Sequence, residues 1–168
     1  MRKVDVAIIG LGGMGKTNIR SLREVEFVSS ITGVDLNEEV CRQVEKEYGI
    51  STYNNVLDVW NNPNIELIYI TTPNESHSEL AIQALKAGKK VMTEKPMGIS
   101  PEETRKIVEA VDQTDGFLQV GFECRNYSKL YVRVKEIIDS GEIGVPKHIS
   151  FSYILPAFPN ESPSSIWT

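Results

Sequence analysis

The chain has 168 residues, of which 40% are hydrophobic and 24% charged, a globular composition with enough length for one ordinary domain. Its net charge is −5 and no run of like charges reaches five residues, which argues against nucleic-acid or membrane-surface binding. Two cysteines and two histidines exclude a zinc ribbon or a disulfide framework and indicate a reducing compartment. Without a signal-peptide pattern or an apolar stretch of about 18 residues, we expect a cytoplasmic protein with no metal site and no membrane span.

Short apolar runs alternate with amphipathic stretches along most of the chain. The apolar runs predict strands at Val4–Ile9, Ser30–Val34, Leu67–Thr71, Lys90–Thr93 and Phe117–Gly121. The amphipathic stretches predict helices at about Met14–Val25, Glu38–Tyr48, His77–Ala87 and Pro101–Gln113. Strands that are apolar on both faces and separated by helices predict an α/β fold, a doubly wound parallel sheet of the Rossmann type.

Local signals mark three helix ends. Residues 100–103 form a capping box with proline at the first helical position. Gly88 and Gly141 each follow a helical pattern as a glycine stop.

After about residue 121 the pattern changes. Ser128–Ser140 predicts one more amphipathic helix, Lys147–Leu155 one more strand, and the remaining residues a loop. One helix and one strand cannot close a second core, because a lone strand leaves its edges unpaired. We therefore expect a dinucleotide-binding domain at residues 1–122 and the start of an incomplete α+β domain at residues 123–168.

A glycine loop follows the first strand, in the pattern G-x-G-x-x-G that opens a dinucleotide-binding helix. Gly10 permits the tight turn, Gly12 lets a pyrophosphate approach the backbone, and Gly15 lets helix and strand pack closely. We expect the whole loop to bind cofactor, together with its other members, Gly13 and Met14.

An acidic residue, Asp35, ends the second strand twenty residues after Gly15. A carboxylate there accepts hydrogen bonds from ribose hydroxyls and repels a 2′-phosphate, so NAD is favoured over NADP. Two alternatives stay open. Asp35 could instead cap the next helix, and methyltransferases that use S-adenosylmethionine have a similar loop and acid.

The middle of the chain carries three motifs in a fixed order. Residues 72–77 read T-P-N-E-S-H, residues 84–91 read A-L-K-A-G-K-K-V, and residues 94–96 read E-K-P. In these motifs the chain resembles the glucose–fructose oxidoreductase / inositol dehydrogenase / rhizopine-catabolism (Gfo/Idh/MocA) family. The resemblance extends from Val4 to about Tyr153.

The turns at residues 72–74 and 94–96 each follow a predicted strand. Both should face the cofactor, because ligands of an open parallel sheet bind beyond the carboxyl ends of its strands. Asn74 suits a helix N-cap, and His77 is either a structural imidazole or, as the resemblance implies, a neighbour of the nicotinamide ribose. The cofactor-binding residues expected in and after these turns are Thr71, Thr72, Pro73, Asn74, His77, Glu94 and Lys95.

Lys95 is the candidate catalytic residue. Its ammonium can bond a substrate hydroxyl and help the proton leave as hydride moves to the nicotinamide. The resemblance implies substrate contact by this lysine, a cis peptide to Pro96 and contact of Glu94 with the nicotinamide ribose. The alternative is a surface lysine paired with Glu94. Arg125 keeps half of a family motif, and we expect cofactor or substrate contact there, with an ion-paired hinge as the alternative.

The resemblance implies an NAD(P)-dependent dehydrogenase acting on a secondary hydroxyl of a sugar, cyclitol or related polyol, within a homo-oligomer. Family members continue for another substrate-binding domain with an aspartate–histidine motif that these 168 residues do not contain. We therefore expect a fragment that supplies the cofactor half and is inactive alone. A short, non-catalytic dinucleotide-binding sensor or interaction module is the alternative.

Overall fold

The computed structural model describes residues 2–121, 128–150 and 152. The chain divides into two compact units, residues 1–123 and 124–168.

The first unit alternates strands and helices almost throughout. Its strands are β1 (Val4–Ile9), β2 (Val28–Val34), β3 (Ser51–Tyr53), β4 (Ile65–Ile70), β5 (Lys90–Thr93) and β6 (Leu118–Val120). Its helices are α1 (Gly13–Arg23), α2 (Glu38–Tyr48), α3 (Leu57–Trp60), α4 (Asn74–Lys86) and α5 (Pro101–Thr114).

All six strands form one parallel sheet in the order β3-β2-β1-β4-β5-β6. The chain runs outward from β1 through β2 to β3 and then returns to place β4 on the other side of β1. This reversal is the topological switch point of a doubly wound sheet, where the crevice for a ligand opens. The predicted Rossmann-type fold is confirmed.

The strand register brings several loop residues to one level. Ile9 is aligned with Val34 of β2 and with Ile70 of β4, and Ile70 is aligned with Thr93 of β5. The residues that directly follow these aligned positions therefore stand side by side along the carboxyl edge of the sheet. In spatial order they are Asp35, Gly10, Thr71 and Glu94.

Two hydrophobic clusters cover the two faces of the sheet. Successive residues of β1 alternate between them, because side chains of a strand point to opposite faces: Ile9 belongs to one cluster and Ile8 to the other. The first cluster includes side chains of α4 and α5, such as Leu85 and Ala110, and the second includes side chains of α1 and α2, such as Ile19. The pattern of strands that are apolar on both faces follows from this double burial.

The predicted helix ends are largely confirmed. Ser100 Oγ accepts a hydrogen bond from the Glu103 backbone N–H at 3.2 Å, and a Glu103 carboxylate oxygen accepts one from the Ile99 N–H at 2.9 Å. Gly88 has a φ of 73°, the left-handed conformation that ends a helix with little strain at glycine.

Two short elements are absent from the prediction. Strand β3 has three residues and helix α3 has four, too few for either hydrophobic period to show. Tertiary contact with β2 makes β3 a strand, through the pairing of Gly33 with Thr52.

The second unit contains helix α6 (Lys129–Asp139), as predicted, and Gly141 follows it with a φ of 73°. The predicted strand at Lys147–Leu155 is wrong for residues 147–150 and for Ser152, which are in no strand. Its alternating pattern is not sufficient, since a strand needs a partner and no strand of the described second unit offers one. The rest of that segment lies outside the described residues. None of the helices in the described part of the chain combines the length and the apolar character that crossing a bilayer requires.

Candidate functional site

The glycine loop joins β1 to α1 and contains glycines of two kinds. Gly10 has a φ of 92°, and a Cβ added there would lie 2.8 Å from the Thr72 nitrogen. A Cβ added to Gly15 would lie 2.0 Å from the Gly10 oxygen. A Cβ on Gly12 or Gly13, by contrast, would meet no atom within 4 Å. The outer glycines serve close packing of the loop, and the middle ones leave its backbone open to a ligand.

The first turn of α1 is electrostatically open. Gly12 is the N-cap and makes no side-chain cap, and no acidic residue occurs in the first turn. The free N–H groups and the positive end of the helix dipole are therefore not neutralised by an acidic residue of the helix's own first turn. This arrangement suits an anion such as a pyrophosphate.

Asp35 bonds to the glycine loop and does not cap α2. One carboxylate oxygen accepts a hydrogen bond from the Leu11 N–H at 2.8 Å, and the other accepts one from the Asn37 N–H at 2.9 Å. The cap of α2 is Asn37, whose side chain accepts from Glu39 and Val40. Each carboxylate oxygen retains lone-pair capacity for a further donor.

The turn after β4 is tied to the same loop. Thr71, which lies one residue beyond β4, donates from its hydroxyl to the Gly10 oxygen at 2.6 Å. The expected N-cap role of Asn74 is wrong, because Asn74 is the first helical residue and Pro73 occupies the cap position without a side-chain bond. The Ser76 hydroxyl instead lies 2.7 Å from the Pro73 oxygen and 2.6 Å from Thr72 Oγ1.

His77 connects this turn to the turn after β5. Its side chain is 1% exposed, with Nε2 2.7 Å from the Thr72 oxygen and Nδ1 2.7 Å from the Pro96 oxygen. Both ring nitrogens are thus engaged by backbone carbonyls.

The E-K-P segment directly follows β5. The Glu94 N–H donates to the Ile70 oxygen at 2.9 Å, which continues the pairing of β4 and β5 by one residue. The Lys95–Pro96 peptide is cis, as the resemblance implied. Lys95 itself is half-buried.

Tyr69 is a functional candidate that the sequence reasoning missed. Its hydroxyl donates to a Glu94 carboxylate oxygen at 3.1 Å, and both side chains are 7% exposed. The available signal was a single hydroxyl within the otherwise aliphatic run Ile-Tyr-Ile, since a buried hydroxyl needs a partner. This hydrogen bond from a β4 side chain orients the Glu94 carboxylate, which follows β5.

The structure therefore brings most of the predicted site residues to one edge of the sheet, through a continuous series of contacts from Asp35 to Pro96. The predicted Arg125 lies outside the described residues. His148 is exposed and in no strand. Within the described ranges, no three His, Cys, Asp or Glu side chains come together in a way that could hold a metal ion.

Comparison with known proteins identifies the family. A sequence model described as an oxidoreductase family with an NAD-binding Rossmann fold, GFO_IDH_MocA, matches residues 4–122. The chain belongs to the Gfo/Idh/MocA family.

Named members of the Gfo/Idh/MocA family are similar over most of the chain. An inositol 2-dehydrogenase of Salmonella typhimurium is 36% identical over 148 residues, which cover 85% of this chain and 44% of that protein. A scyllo-inositol 2-dehydrogenase (NAD(+)) of Bacillus subtilis is 34% identical, with 86% and 42% covered. The chain thus spans less than half the length of these relatives.

Solved structures agree with this assignment. The crystal structure of myo-inositol 2-dehydrogenase from Lactobacillus plantarum matches with a TM-score of 0.76 and 32% identity, over 85% of this chain and 43% of that one. Names among the similar proteins mention both NAD(+) and NADPH, so they do not decide between the two cofactors.

Proposed function

We propose that this chain binds a nicotinamide dinucleotide, NAD(H) in preference to NADP(H), along the carboxyl edge of its sheet. The observation that carries the proposal is the bond from the Leu11 N–H to the Asp35 carboxylate, which holds an acid beside an open glycine loop. The pyrophosphate would lie against Gly12 and the first turn of α1, and ribose hydroxyls would donate to Asp35. A 2′-phosphate would bring its negative charge close to the same carboxylate.

The nicotinamide end of the cofactor would extend toward the turns that follow β4 and β5. Support comes from the strand register, which aligns these turns with the glycine loop. The residues proposed here are Thr71, Thr72, Pro73, Asn74, His77, Glu94 and Lys95, while cofactor or substrate contact by Arg125 stays a prediction.

The proposed reaction of the whole protein is hydride transfer between the nicotinamide and a secondary hydroxyl or ketone of a polyol such as a cyclitol or sugar. The relatives named above are inositol dehydrogenases, which favours an oxidoreductase over a non-catalytic binding module. The bound cofactor supplies the hydride acceptor, and this chain orients it. Lys95 would bond the reacting oxygen and assist its proton transfer. A homo-oligomeric state and a cytoplasmic location stay predictions.

The test of cofactor choice compares Asp35→Asn with Asn37→Ala in titrations with NADH, NADPH and S-adenosylmethionine. Asp35→Asn keeps the side-chain size but removes the charge, so NADH should bind about 10- to 100-fold more weakly, as expected for the loss of a hydrogen bond to a charged group. NADPH should bind no more weakly than before, because its phosphate no longer meets a carboxylate.

Asn37→Ala is the matched control, since it removes the cap of α2 two residues away and leaves Asp35 in place. It should lower the melting temperature and keep the preference for NADH. Binding of S-adenosylmethionine without binding of NADH, or equal NADH affinity in Asp35→Asn and the unmodified chain, would contradict the proposal.

A further inference from the structure

His77 forms a buried cross-link between two loops of the site. Its two ring nitrogens each lie 2.7 Å from a carbonyl oxygen, one of Thr72 after β4 and one of Pro96 after β5. Thr72 and Pro96 are separated by 24 positions in sequence, and the histidine lies in the helix between them. The imidazole therefore spans the two turns to which the proposed function assigns the nicotinamide end of the cofactor.

The chemistry of the partners determines what the ring must do. A carbonyl oxygen only accepts hydrogen bonds, so a ring N–H must donate to it. Whichever nitrogen carries the N–H, the ring lies 2.7 Å from both oxygens and fills the space between the two turns.

We propose that His77 is a positioning residue whose imidazole clamps the Thr72 and Pro96 carbonyls and so sets the spacing between the two nicotinamide-facing turns. The proposal rests on the proposed function. His77 is 1% exposed and acts through its neighbours. The Pro96 carbonyl is one residue beyond Lys95, and Thr72 is one residue beyond the threonine that bonds the glycine loop. Holding both carbonyls fixes the backbone that carries Lys95 relative to the loop.

A second buried side chain offers a matched control at the opposite edge of the sheet. The Lys89 ammonium donates to the Asn62 oxygen at 2.6 Å and to the Ile65 oxygen at 2.9 Å, and the side chain is 7% exposed. Lys89, one residue before β5, thus ties the amino end of β5 to two carbonyls at the amino end of β4, whereas His77 links the turns at their carboxyl ends. Removing either bridge should loosen the same strand pair, but only His77 lies at the cofactor edge.

The binding experiment compares His77→Gln and Lys89→Gln in titrations of the 168-residue chain with NADH and with ADP. ADP carries the adenosine and pyrophosphate but no nicotinamide. His77→Gln should weaken NADH about tenfold, the loss expected for one net hydrogen bond, and leave ADP affinity unchanged. Lys89→Gln should change neither affinity, although it lowers the melting temperature.

Equal weakening of NADH and ADP in His77→Gln, or unchanged NADH affinity in that variant, would overturn the positioning role while leaving the proposed function intact. Failure of the unmodified chain to bind either nucleotide would overturn the proposed function itself.

A second measurement covers the case in which His77→Gln does not fold. In the ¹⁵N-histidine-labelled chain, a ring N–H proton of His77 should be protected from exchange with solvent. The exposed His148 provides the comparison, and His148→Gln assigns the two rings. A His77 ring N–H that exchanges as fast as that of His148 would overturn the proposed clamp.

Discussion

Within the glycine loop, single atoms determine which residues the fold tolerates. At Gly15 an added methyl would lie 2.0 Å from the Gly10 oxygen, a backbone atom that cannot turn aside as a flexible side chain can. At Gly12 the same methyl would enter open space. Two glycines three residues apart in one motif are thus required for different reasons. Gly15 allows close packing, and Gly12 leaves room for a ligand.

The Gly15→Ala substitution should therefore lower the free energy of unfolding by about 1–3 kcal/mol or more, because overpacking against backbone forces the loop apart. Gly12→Ala should lower it by only about 0.5–1 kcal/mol, the difference between glycine and alanine as N-cap residues. Urea unfolding of both variants measures the difference. A Gly15→Ala chain as stable as Gly12→Ala would contradict the packing interpretation.

Lys95 is the residue through which the proposed chemistry can be tested directly. Lys95→Met keeps the length of the side chain and removes its charge and its donors. In a form of the protein that oxidises a polyol, kcat should fall about 10²- to 10⁴-fold, the usual contribution of a group that handles a proton. The dissociation constant for NADH should change far less. An unchanged kcat would exclude the catalytic role.

At the level of the elements, strands β1 and β2 are joined near their amino ends by hydrogen bonds to a carboxylate. The Asp5 carboxylate accepts hydrogen bonds from the hydroxyls of Ser29 and of Ser30, the latter at 2.8 Å. These two bonds hold the pKa of Asp5 below its usual value of 3.8, since they stabilise the charged form. The side chain is partly exposed, so solvent screening limits the effect on stability.

The Ser29→Ala/Ser30→Ala double variant tests this contact through its dependence on pH. A carboxylate with a lowered folded-state pKa stabilises the fold above the unfolded pKa, and this contribution is lost as the pH falls through the folded pKa. The variant should be less stable than the unmodified chain above about pH 5, and the difference should shrink below pH 3.8. Ser21→Ala, which removes a hydroxyl bonded only to the Thr17 backbone oxygen, is the control. If the stability difference between the double variant and the unmodified chain did not change with pH, the two hydroxyls would not stabilise the Asp5 carboxylate.

At the scale of the molecule, the two hydrophobic clusters lie entirely in the first unit. Their buried members run from Ala7 to Ala110, and every described candidate site residue falls in the same unit. The sheet switch point and both helical layers are also complete there. We therefore propose that residues 1–123 form an independent nucleotide-binding domain.

A fragment of residues 1–123 should unfold in one cooperative transition and bind ADP with the affinity of the 168-residue chain. Circular dichroism during thermal unfolding and calorimetric titration are the measurements. NADH affinity is a separate readout, because the fragment lacks Arg125, and Arg125→Ala in the longer chain shows whether that residue accounts for any loss. Non-cooperative unfolding of the fragment would contradict independence.

Local sequence predicted the secondary structure wherever an element was long enough to show its hydrophobic period or began at a recognisable capping residue. The bounds of β1, β5 and α2 agree with their predictions, and the capping residue Ser100 begins α5 as expected. The three-residue β3 escaped notice because its strand character comes from pairing with β2. The predicted last strand is wrong at residues 147–150 because, in the described part of the second unit, no neighbouring strand pairs with it.

The sequence by itself determined the fold class, the glycine loop with its acid, and the family, because periodicity and motif spacing are properties of neighbouring residues. Only the tertiary structure decided which partners those residues meet. Asp35 reaches back 24 positions to Leu11, His77 reaches forward 19 to Pro96, and Tyr69 lies beneath Glu94. Hydrogen-bond partners are chosen by distances of about 3 Å across the folded sheet, and strand order and register set those distances.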